Sequence, residues 1–153
     1  RLISERFLDG RIAYSHYIHV EDDILVSFDN FCYFVKYRDL LRVNRLIPSF
    51  QRVELNSNDN RLYLVDQIGV SELTSRKKVN IGEFVFVNPD YPYNAMFILD
   101  RDLALEYVKT RSFDRDRSMD VRPQWGLGER ACMGLCFENQ AEGFELEYTL
   151  KKK

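Results

Sequence analysis

The sequence contains no run of apolar residues long enough to cross a bilayer. It also lacks a basic excess. Its formal net charge is −2, so it carries no electrostatic footprint for nucleic acid, and Lys151-Lys152-Lys153 reads as a solvated tail. Histidine is confined to His16 and His19, and neither alternation nor spacing makes them a ligand pair. The three cysteines, Cys32, Cys132 and Cys136, cannot all pair within the chain. Cys132 and Cys136 are spaced for one face of a helix and lack the second pair that a zinc site needs. All three read as reduced, mostly buried thiols, which favours a reducing compartment. There is no internal repeat and no low-complexity tract.

What is present fits one folded domain. A chain of 153 residues with 45% hydrophobic and 30% charged residues can bury a core and is not disordered. Aromatic residues make up 14%, with 9 Tyr and 11 Phe against a single Trp. Most belong in a core, and some have faces suited to line a pocket or stack on sugars. The chain opens on Arg1 and runs directly into helix-like sequence, so a segment of a longer protein is expected.

Along the chain, Leu2 to Leu8 reads as the end of an amphipathic helix stopped by Asp9-Gly10. Tyr17 to Val20 reads as a buried strand. Ser27 to Asn30 offers N-cap residues. Phe31, Phe34, Val35, Leu40 and Leu41 recur near the helical period up to about Val43, and Pro48 forbids continuation. Phe50 to Leu55 alternates as a strand, 56–60 is a polar turn, and Arg61 to Asp66 is the returning strand. Gln67 to Asn80 reads as a loop and Glu83 to Val87 as a strand. Asn88 to Tyr93 forms an aromatic loop. Asp100 caps a helix from Arg101 to about Thr110, after the apolar stretch Ala95 to Leu99. Ser112 to Arg122 is rich in alternating acids and bases and reads as a mobile surface loop. A helix is expected within Trp125 to Phe137, and a last strand at Phe144 to Leu150. Interleaved strands and helices predict an α/β or α+β fold, with a mixed sheet and flanking helices.

The chemistry-bearing feature is Glu21-Asp22-Asp23, set between the apolar Tyr17–Val20 and Ile24–Val26. Burying carboxylates costs several kcal/mol each unless something pairs with them. A cation would relieve that cost, and Mg²⁺ or Mn²⁺ prefers oxygen ligands while keeping positions open for substrate phosphates. The bland alternative is a solvated acidic turn between a strand and a helix.

An apolar strand, an acidic triplet and then a helix resemble the metal-binding motif of GT-A-fold glycosyltransferases. Further stretches resemble a glycosyltransferase-like group: Phe34 to Arg38, Leu46 to Glu54, Asn88-Pro89 with Tyr91-Pro92-Tyr93, Ala95 to Asp100, and Trp125 with Glu129 to Gly134. The similarity spans about Tyr14 to Phe144. It implies the C-terminal half of a nucleotide-diphospho-sugar transferase fold, with the nucleotide-binding half expected upstream of Arg1 and the isolated segment expected to be inactive. The triplet departs from Asp-x-Asp, its nearest match being Glu21-x-Asp23. No histidine follows His19 to serve as a downstream ligand.

The resemblance implies a Mn²⁺ or Mg²⁺ cofactor, a nucleotide-sugar donor and a carbohydrate or other hydroxyl acceptor. Asp23 would touch the ion, and Asp22 or Glu21 a bound water or the donor ribose. Glu129, after Trp125-Gly126-Leu127-Gly128, would take the acceptor proton; the alternative is a helix-start acid paired with Arg130 or Arg122. Tyr91, Tyr93 and Trp125 are candidate sugar platforms, and Arg130 a candidate substrate contact. Two other functions fit the residues: a metal-dependent phosphoester hydrolase, and a non-catalytic α/β interaction domain.

Overall fold

Residues 3–9, 14–65, 78–87, 96–120 and 126–132 are described by the computed structural model of the chain. The opening helical segment, Ile3–Leu8, is a wide π-helical turn. It buries Ile3 and Phe7 in the core. Its C-terminal carbonyls are capped by Arg101, which donates to the carbonyls of Phe7 at 3.3 Å and Leu8 at 3.1 Å.

Strand β1 is His16–Val20, where the apolar run predicts it. Ser27 then starts helix α1 (Phe28–Arg42). A reciprocal capping box fixes the start: the Asn30 N–H donates to Ser27 Oγ at 3.3 Å, and the Ser27 N–H to Asn30 Oδ1 at 2.8 Å. Asp29 in the first turn and Arg42 in the last complement the helix dipole. The helix ends before Pro48 because Arg45 turns left-handed, with φ 57°. The Leu46 and Arg45 N–H groups then donate to the carbonyls of Leu41 and Arg42, a Schellman closure.

Two local hairpins follow. β2 (Val53–Asn56) pairs with β3 (Arg61–Leu64), and β4 (Lys78–Ile81) with β5 (Phe84–Val87), both antiparallel. β4 falls partly in the stretch expected to be a loop. Val79 and Ile81 supply its alternation, and Gly82, with φ +60°, supplies the turn that returns the chain into β5. The β4–β5 face carrying Phe84 and Phe86 docks on α1 through edge contacts to Tyr37, with ring centroids 5.1 and 5.5 Å away.

β6 (Met96–Asp100) runs antiparallel to β1, from Val20↔Met96 to His16↔Asp100. It is followed without a break by α2 (Arg101–Tyr107), whose N-cap is Asp100. Two short 3-10 turns, Arg111–Phe113 and Arg117–Asp120, lead to α3 (Leu127–Cys132). α2 packs on β6 and on the opening turn, and α3 packs on the two 3-10 turns.

The core sits around β6. Met96, Ile98 and Leu99 are buried with Phe34 of α1, Leu103, Ala104 and Tyr107 of α2, and Ile3 and Phe7. Each large apolar side chain fully withdrawn from water contributes roughly 1.5–3 kcal/mol.

The architecture is α+β. In place of the expected mixed sheet, the described strands form three separate two-stranded antiparallel ladders. Two of these are local hairpins, which close with less loop entropy than the crossovers a parallel arrangement requires. β1 is correspondingly less buried than expected: Ile18 is 43% and Val20 41% exposed, and the fully buried strand is β6. The stretch from Ser112 expected to be a mobile loop takes in most of the first 3-10 turn and all of the second, with Ser112 and Ser118 buried and Phe113 packed against the core. Cys32 is exposed, against the expectation of a buried thiol. Its place on the outer side of α1, away from Phe34, Arg38 and Leu41, accounts for this. Cys136, the Cys132 side chain and the expected last strand lie outside the described residues. No described helix is long and apolar enough to cross a membrane.

Candidate functional site

β1 ends at Val20, and the acids reverse the chain. The Ile24 N–H donates to the Glu21 carbonyl at 3.2 Å, so Asp22 and Asp23 are the central residues of a turn. Glu21 is half-buried, whereas Asp22 and Asp23 are exposed. Val26 then packs against the core and Ser27 caps α1. The order strand, acids, helix is therefore as expected, but Asp22 and Asp23 stand in water and carry little desolvation cost. β1 has one partner among the described strands, so the triplet follows a half-exposed strand instead of an interior one.

This is the solvated acidic turn between a strand and a helix that the sequence leaves as the alternative, and with Asp22 and Asp23 in water the desolvation cost that called for a cation is absent there. Among the described residues no three His, Cys, Asp or Glu side chains form a group that could hold a metal ion.

Glu129 lies in the first turn of α3 and is half-buried. Its carboxylate curls back over Gly126, so a Cβ at position 126 would collide with Oε2. The glycine thus permits the close approach, in the manner of an acid folded over the start of its own helix. Arg130 is buried, and its Nε donates to Ser118 Oγ at 3.2 Å. Ser118 Oγ in turn donates to the Arg115 carbonyl at 2.7 Å. The Tyr107 hydroxyl donates to the Ala131 carbonyl at 2.6 Å and ties α3 to α2. Glu129 and Arg130 are thus set by the packing of α2, α3 and the 3-10 turns, and the acidic triplet by the β1–β6 ladder. Tyr91, Tyr93 and Trp125 lie outside the described residues.

Two Asp-x-Asp sequences escape a reading centred on the triplet. Asp100-Arg101-Asp102 directly follows the buried strand β6. Both Asp100 oxygens are committed: Oδ1 accepts the Leu103 N–H at 2.8 Å and Oδ2 the Arg38 Nε–H at 2.6 Å. Asp102 pairs with Arg42 at 2.5 Å. Asp114-Arg115-Asp116 is the other, and Asp114 Oδ1 accepts the backbone N–H groups of Asp116 and Arg117 at 3.0 and 2.8 Å. Both sequences thus carry structural bonds: Asp100 and Asp102 bind α1 to α2, and Asp114 caps a turn. The β1–β6 register puts Asp100 opposite His16, at the other end from the triplet of a ladder about 13 Å long. The signal for the Arg38–Asp100 pair is an arginine on the Phe34–Leu41 face of α1.

The histidines serve packing. His16 sets its ring edge-on to Phe31 and Phe34 and bonds Ser15 Oγ at 2.9 Å, and His19 stacks on Phe97 at 4.9 Å. Comparison of the chain with protein-family models, with curated proteins and with solved structures returns no match.

Proposed function

We propose that the chain is the metal- and acceptor-side portion of a divalent-metal-dependent glycosyltransferase, moving a sugar from a nucleotide-sugar donor to a hydroxyl acceptor. What supports the reading is the order along the chain: Asp22 and Asp23 follow β1 after Glu21, and α1 begins at Phe28. The paired Asp100 and Asp102 leave the turn as the better candidate for a shared ion. In this reading Asp23 is the direct ligand, with Asp22 and Glu21 toward a bound water or the ribose. A bound Mg²⁺ or Mn²⁺ would supply charge neutralisation of the donor diphosphate.

Glu129 is the proposed base for the acceptor hydroxyl, and Tyr91, Tyr93 and Trp125 the proposed sugar platforms. Arg130, whose Nε donates to Ser118 Oγ, is the proposed substrate contact. The test is thermal unfolding of the chain with Mn²⁺ or with chelator. The reading expects a rise in Tm that needs Mn²⁺ and disappears in Asp23→Asn. No rise in either condition, or an equal rise with chelator, would contradict it.

A second reading, a non-catalytic interaction domain, is favoured by one observation. In the β2–β3 ladder Val53 faces Leu64 and Leu55 faces Leu62, so all four share one face, and all are exposed. The opposite face carries Glu54, Asn56, Arg61 and Tyr63. A ribbon this clearly divided is built to be covered on its apolar side. Analytical ultracentrifugation of the wild type against Leu55→Thr/Leu62→Thr tests it. Association lost in the variant supports this reading, and identical monomeric behaviour of both opposes self-association through the face.

A further inference from the structure

We draw no further inference here: the strongest candidate, the exposed apolar face of the β2–β3 hairpin formed by Val53, Leu55, Leu62 and Leu64, goes no further than the second reading above because nothing in the structure shows what covers it.

Discussion

Arg38 and Asp100 lie 62 residues apart and meet in a mostly buried ion pair, Nε to Oδ2 at 2.6 Å. The same carboxylate caps α2 through Leu103, so one side chain joins α1, β6 and α2. Removing it strands a buried guanidinium and opens a helix start. Asp100→Ala is therefore expected to cost about 3–5 kcal/mol, the range for breaking a buried pair from one side. Asp100→Asn keeps a capping oxygen and should cost less. Urea unfolding of the two variants checks this. Midpoints equal to wild type for both would show that the pair does not hold these elements together.

Much of the chain's local structure is legible in the sequence, and its long-range pairing is not. Ser27 and Asn30 announce α1, and Asp100 announces α2, because each cap links residues only three apart. The 56–60 turn announces the β2–β3 hairpin. β1 meeting β6 could not be read this way, because Val20 and Met96 carry no local sign of each other. The burial of β1 is not legible for the same reason: the short stretch Tyr17–Val20 does not tell which strand lies inside. At the candidate site the order of strand, acids and helix was legible. The exposure of Asp22 and Asp23 was not, because it depends on what packs around the turn.

The apolar hairpin face predicts an unusual mutational pattern. Because Leu55 and Leu62 are 61% and 67% exposed, replacing each by Thr should change stability by no more than about 0.5 kcal/mol. Phe34, fully buried in the core, should cost about 3–5 kcal/mol as Phe34→Ala. Denaturant melts of the variants measure both. A large loss from the hairpin substitutions would mean that the face is covered within the folded chain.

Tyr33 packs against Tyr37 and Phe50, and burial, followed by the neighbouring Tyr37, raises its pKa above the ordinary 10.0. The folded state favours the neutral phenol, so its contribution is fully present below pH 10 and is lost as pH rises through the folded value. Tyr63 is raised too, first by its hydrogen bond to Asp59, so the comparison belongs in a Tyr63→Phe background. Ultraviolet titration there should show a late-ionising tyrosine that vanishes in Tyr33→Phe, together with a shallower loss of stability at alkaline pH. Loss of an ordinarily titrating tyrosine in Tyr33→Phe, with the late ionisation intact, would place Tyr33 in water.

Glu129 distinguishes a proton acceptor from an acid serving its own helix. As a base, Glu129→Gln should lower turnover of the active enzyme by roughly two to four orders of magnitude, with donor affinity and melting nearly unchanged. As a helix-start acid curled over Gly126, the substitution should cost a fraction of a kcal/mol to about 1 kcal/mol of stability, with turnover intact. Measuring turnover, donor affinity and melting on one preparation separates the two.

The most direct measurement is Mn²⁺ binding to the chain, followed by the loss of the free-ion electron paramagnetic resonance signal. Wild type is expected to bind Mn²⁺, and Asp23→Asn to weaken binding by at least about tenfold, the loss that even outer-shell changes produce at metal sites. Asp102→Asn, at the arginine-paired Asp-x-Asp, should leave it unchanged. Equal affinity in wild type and Asp23→Asn, or a loss confined to Asp102→Asn, would contradict a metal site at the acidic turn.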